Sequence, residues 1–234
     1  MERSETADAR QRFRAGMRTG IGLAAAAFVL AVTFGATTRA EGWGALAPVV
    51  CSVLVFSGSA QFALATALAG GGGVVPAVAS AALINGRFLP MGMAVTPSLK
   101  GNRWRRAVEA QSVVDASWAA AHVGGGRFDR EQLIGATIVQ WPAWVAGTVV
   151  GVLVAPPSDL IDKLGLDVIF PAFFLILLLD EVRASRRAAA AAGIGAAAAA
   201  GLLWLVPAGV ALVGATVGAL VGLIRRGSRS EVRP

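Results

Sequence analysis

Long apolar blocks separated by short charged connections run through nearly the whole chain. Gly20 to Thr38 is the first block, and Leu133 to Val154, Ala188 to Leu205 and Val206 to Ile224 are later ones. Each approaches the roughly 20 apolar residues that a helix needs to cross a bilayer. Leu164 to Leu179 is shorter and is interrupted at Phe170-Pro171, while Ala107 to Val123 is weakened by Glu109, Gln111, Ser112 and Asp115. The pattern predicts an all-α polytopic membrane protein with seven to eight membrane segments, some of them discontinuous. Met1 to Arg18 reads as a polar N-terminal tail, residues 19–224 as one transmembrane domain, and residues 225–234 as a basic C-terminal tail. The first block has an Arg-rich start and small residues behind it, as a signal peptide does. The many later blocks favour an uncleaved first helix.

Val49 to Pro97 departs from plain membrane filler. Ser57-Gly58-Ser59 and Gln61 interrupt one apolar run, and Asn85-Gly86-Arg87 with Pro90 interrupts the next. Backbone loosened at membrane depth must be satisfied by protein or by a water-lined cavity. Paired broken segments of this kind build midplane binding sites in many transporters. A fainter echo of Val55-Phe56-Ser57-Gly58 occurs at Ile169-Phe170-Pro171-Ala172, as a two-repeat transporter would have; chance similarity between apolar segments accounts for it equally well.

Composition agrees with the pattern: 56% of the 234 residues are hydrophobic and only 15% charged, against about a quarter charged in soluble domains. The net charge of +7 would suggest nucleic acid on a soluble protein. Here the arginines cluster at block ends, as the positive-inside bias requires, so nucleic-acid binding is set aside. Cys51 and His122 are single, which leaves no disulfide framework and no His- or Cys-based metal site. No cofactor is expected. An enzyme would need a nucleophile with its base, or a metal, and the chain is poor in both.

Charge also orients the blocks. The N-terminal arginines, Arg183 to Arg187 and the C-terminal arginines belong on the cytoplasmic side, and the acidic stretch Pro156 to Asp167 outside. An eight-crossing reading then leaves Lys100 to Arg106 outside, against the rule. A reading with a re-entrant segment, in which Ala107 to Val123 falls short of spanning, brings that basic loop inside.

Candidate chemistry follows from the cost of polar groups in the bilayer. Arg87 lies within a span, where a cation costs about 2.5–3.5 kcal/mol, and so demands a partner; Asp115 is the nearest plausible acid in sequence and Asp167 a second candidate. Ser57, Gly58, Ser59, Gln61, Asn85, Arg87, Phe170 and Pro171 are the candidate substrate-binding residues. Asp115 and Asp167 are the candidates for ion or proton coupling. Close helix packing is the alternative reading of the small residues, a structural ion pair that of Arg87. Trp43, Trp104, Trp141, Trp144 and Trp204 fit an interfacial aromatic belt. From the residues alone, the reading is a transporter of a small polar or zwitterionic solute, with a structural membrane subunit as the rival.

The runs V-F-S-G-S-A-Q-F, N-G-R-F-L-P-M-G, R-W-R-R followed by V-V-D, and L-G-L-D-V-I-F-P-A-F-F resemble the AzlC family, over roughly Thr19 to Leu179. The resemblance implies the large subunit of a bacterial branched-chain amino acid exporter in the inner membrane, driven by an ion gradient. It also implies a small AzlD-like membrane subunit as partner. Family members often have His where this chain has Phe88, and a second acid where it has Ala116, so no proton relay is carried over onto those two positions.

Overall fold

The computed structural model describes residues 2–124, 126–154, 175, 178–179, 182–183 and 186–206. The segments around Asp167, Phe170 and Pro171, the acidic stretch from Pro156 and the C-terminal run from Pro207 lie outside the described residues. The described structure is helical, with a single isolated bridge between His122 and Phe128 as its only β pairing. Among the described residues, three stretches are long and apolar enough to cross a membrane: Thr6–Ala40, Val74–Ser98 and Arg130–Val154. The chain divides into two compact units, Met1–Gly58 with Asn85–Ser158, and Ser59–Ile84 with Asp159–Pro234.

The first unit is built on two long helices, α1 (Glu2–Ala40) and α8 (Arg130–Val154). They run parallel, because Gly16, Gly20 and Val32 face Gln132, Ala136 and Gly151 in the same order. The seam is closed by glycine from both sides. A Cβ on Gly20 would stand 2.7 Å from the Ala136 carbonyl oxygen, and one on Gly151 would meet the Val32 carbonyl. Lipid tails are as apolar as leucine, so helices in a bilayer associate through close packing, and small residues four apart permit it. Gly16 with Gly20, and Gly147 with Gly151, have that spacing.

Between these helices in sequence lie the broken ones. α2 (Leu46–Leu54) descends antiparallel to α8, with Ser52 and Thr148 hydroxyls 2.7 Å apart. It stops after nine residues. The Val55 amide still reaches the Cys51 carbonyl, and Ser57 N–H donates to the Val55 carbonyl, so the break satisfies part of its own backbone. α3 (Gly58–Ala69) starts beyond it, beside Trp144 at mid-length of α8. In the second unit, most of α3 and of α4 (Val74–Asn85) are joined by a glycine turn in which Gly71 and Gly73 have φ of +72° and +75°. α9 (Arg186–Leu202) also belongs to that unit.

α4 gives way to α5 (Phe88–Val95) through two turn residues, Gly86 and Arg87. This interruption is shallower than the sequence suggested, since Arg87 keeps helical angles (φ −62°, ψ −26°). Pro90 sits in the first turn of α5, where its missing N–H is not needed.

Ala107 to Val123 is not one continuous helix. α6 (Arg103–Ala110), capped by Asn102 accepting from the Arg105 amide at 3.0 Å, and α7 (Asp115–Ala121) form a hairpin that enters and returns. Its turn, Gln111–Val114, is held by the Ser112 carbonyl, which accepts from Ser117 Oγ at 2.5 Å and Thr137 Oγ1 at 3.0 Å. Its exit is tied to the start of α8, where Asp129 N–H donates to the Ala121 carbonyl at 2.8 Å. Val95, Leu99, Val113, Ala121, Phe128 and Leu133 are buried together beneath it. The basic loop therefore shares an end with the start of α1. Lys100 Nζ lies 3.7 Å from Glu131, and Arg12 Nε lies 3.2 Å from Asp129. That arrangement is the one the re-entrant reading expects of the basic loop.

Candidate functional site

The end of α2, the start of α5 and the hairpin turn enclose a cavity of about 370 Å³. Ser57, Asn85, Phe88, Gln111 and Val114 are among its walls. Ligand pockets typically hold about 300–1,000 Å³. The Asn85 side-chain oxygen is buried without a hydrogen-bond partner. A buried acceptor left unsatisfied costs about 1–3 kcal/mol, which a donor on a bound molecule would recover.

Arg87 and Asp115 each stand one residue from a wall residue, next to Phe88 and Val114. Arg87 Nη2 donates to Asp115 Oδ2 at 2.6 Å. The guanidinium also lies 5.2 Å from the centre of the Phe88 ring, a cation–π contact. The pairing meets the demand that a guanidinium within a span must have a counter-charge. Both side chains keep a share of exposure, 34% and 58%, so the pair remains open to exchange.

The other sequence candidates are distributed. Ser57 is buried at the cavity, whereas Gly58 packs on Trp144, where a Cβ would lie 2.6 Å from the indole. Ser59 and Gln61 are buried on α3. Asp167, Phe170 and Pro171 lie outside the described residues. Trp141 and Trp144 are mid-helix, and Trp144 is buried, so these two depart from the aromatic belt. Gln111 was not among the candidates. The polar run that weakened Ala107 to Val123 marked it, because that run is the turn of the hairpin. Among the described residues, no group of three or more His, Cys, Asp or Glu could hold a metal.

A second charge centre stands at the basic end. Glu109, buried on α6, accepts from Arg130 Nε at 2.8 Å and Arg105 Nε at 3.1 Å, and from the Lys100 amide at 3.1 Å. Arg130 foremost, with the Lys100 amide and Arg105 assisting, holds the Glu109 carboxyl at about 2 against the opposing effect of burial. Arg130 Nη1 also reaches Glu131 at 3.0 Å. This centre joins the hairpin to α8.

Comparison with known proteins adds the rest. The model of the AzlC protein family matches residues 22–156. The branched-chain amino acid transport protein AzlC of Bacillus subtilis (strain 168) is 23% identical over 86% of this chain and 83% of its own length. The inner membrane protein YgaZ of Escherichia coli (strain K12) is 25% identical over 91% and 90%. A membrane protein of Archaeoglobus fulgidus is 28% identical over 77% and 81%. No solved structure matches the chain. With more than half its length matched by the family model, a helical membrane architecture and relatives of this kind, the chain belongs to the AzlC family of membrane transport proteins.

Proposed function

We propose that the chain is the large subunit of a secondary exporter of branched-chain amino acids, driven by an ion gradient in the inner membrane. The observation that carries this reading is the Arg87–Asp115 pair beside a cavity lined by Ser57 and Asn85. The guanidinium presents a flat two-donor fork suited to a carboxylate. An arriving substrate carboxylate takes the place of Asp115 on Arg87, and the Asn85 oxygen accepts from the substrate ammonium. Asp115, released, becomes the coupling residue, with Asp167 as a second. Ser59, Gln61, Phe170 and Pro171 complete the proposed substrate-binding set. The name of the Bacillus subtilis relative supports the substrate class.

The transport domain is assigned to residues 19–224, between cytoplasmic tails. Gathering of the N-terminal arginines and the Lys100–Arg106 loop at one end supports a cytoplasmic N-terminus, by the positive-inside bias. A small AzlD-like subunit is the proposed partner.

Two experiments test the reading. Cells with and without the chain, loaded with valine or leucine, should differ in efflux; equal efflux would favour a structural subunit. Single cysteines at Ser98 and Ser228 in a Cys51→Ser background should resist an impermeant thiol reagent added to intact cells, whereas one at Ser158 should react. Labelling of Ser98 from outside would reverse the orientation.

A further inference from the structure

A second recess, of about 540 Å³, adjoins the cavity and shares Leu54, Phe56 and Gln111 with it. Its other walls are largely apolar. Ile134, Ile138 and Trp141, at spacings of four and three, line it from one face of α8, and Val53 and Val108 face it from α2 and α6. The polar groups along its edge are already engaged: Thr137 Oγ1 donates to the Ser112 carbonyl at 3.0 Å. The first cavity therefore offers the buried Asn85 amide oxygen, which has no hydrogen-bond partner among the described residues, and the adjoining recess offers aliphatic and aromatic surface. A molecule filling both needs a charged head and a compact apolar tail on one carbon, which describes an apolar amino acid.

We propose that this recess is the side-chain subsite of the transported amino acid, with Ile138 and Trp141 setting the permitted size and Gln111 standing between head and tail. The proposal rests on the transport reading above. An acyl chain of a lipid, or a helix of a partner, is the competing occupant, and neither would require continuity with the polar cavity.

Cells producing the chain with the proposed small subunit are loaded with dipeptides of alanine, leucine or phenylalanine, and efflux of each amino acid is followed as a function of its internal concentration. Ile138→Phe fills the recess. It should raise the half-saturating concentration for leucine about tenfold, the scale on which a hydrophobic pocket discriminates by size, while alanine efflux stays near wild type and reports that the variant is folded. Ile138→Ala enlarges the recess and should improve phenylalanine relative to leucine by a similar factor; it carries the test if Ile138→Phe abolishes all efflux. Parallel changes for all three substrates in Ile138→Ala, or none, would overturn the subsite and leave the transport reading standing. If the wild-type chain moves none of the three, the transport reading falls and the subsite with it.

Discussion

Glu109 and Arg130 meet with side chains 8% and 15% exposed, whereas Arg87 and Asp115 meet at the other end of the hairpin with 34% and 58% exposed. The first carboxylate has three donors besides its own desolvation to contend with; the second has one guanidinium and a single described contact. A buried, fully engaged pair resists rearrangement, since each partner removed leaves a charge stranded. A half-exposed pair is held less tightly and exchanges partners more readily. The same residue types thus serve as a joint in one place and as a proposed reception site in the other, and the surroundings decide which.

The largest effect should come from breaking the joint. Glu109→Met leaves the Arg130 guanidinium with Glu131 as its one described acidic partner, and breaking the buried pair costs about 3–5 kcal/mol, enough to reduce the yield of folded, detergent-stable protein severely. Because well-packed apolar residues often replace a buried pair without loss, Glu109→Met combined with Arg130→Met should recover most of that yield. Failure to recover would mean that the charges themselves, and not their mutual satisfaction, are needed at the basic end.

At the other pair the expected effect is on affinity. Arg87→Lys keeps the charge but loses the two-donor fork, so folding and insertion should be normal while the internal leucine needed for half-maximal export rises about tenfold. One lost charge-assisted hydrogen bond, worth about 1.5–3 kcal/mol, accounts for that factor. Normal apparent affinity would reduce Arg87–Asp115 to a second joint and erase the contrast.

The smallest effect is one of acidity. Glu109 is lowered from 4.5 to about 2 in the folded chain. Its contribution is fully present above pH 4.5 and is lost as the pH falls through about 2, because the unfolded chain takes up the proton first. Thermal stability in detergent should decline over that window in the wild type, and more shallowly in Glu109→Gln. An equal decline in both would show that other carboxylates control acid sensitivity.

Much of this arrangement was visible in the residues and part of it was hidden. Apolar block length foretold α1 and α8, and the insertion cost of a guanidinium foretold that Arg87 would find an acid, with Asp115 in reach. Two things escaped. The glycine seam is not legible in the sequence, because Gly16, Gly20, Gly147 and Gly151 look like ordinary membrane composition until the facing helix is known. The hairpin was left as one of two readings, because a weakly apolar stretch of 17 residues reads equally as a poor span or a good re-entrant turn. The contacts of Lys100, Ala121 and Asp129, which the sequence does not display, bring the basic loop beside the starts of α1 and α8 and favour the second. Trp144 was misread for a related reason: tryptophan favours interfaces on average, and a glycine facing it overrides the average.

The glycine seam also bears on how the protein is made. Gly20 waits for Ala136, whose codon is translated 116 positions later. At about 5–20 residues per second, the first helix resides in the membrane for roughly 6–20 seconds before its partner emerges. Throughout that interval its narrow glycine face is covered by lipid or by the insertion machinery, and nothing native can lock it. Slowing synthesis between the two helices would lengthen the exposure, and any factor that shelters a newborn helix in the membrane would have α1 as its first client.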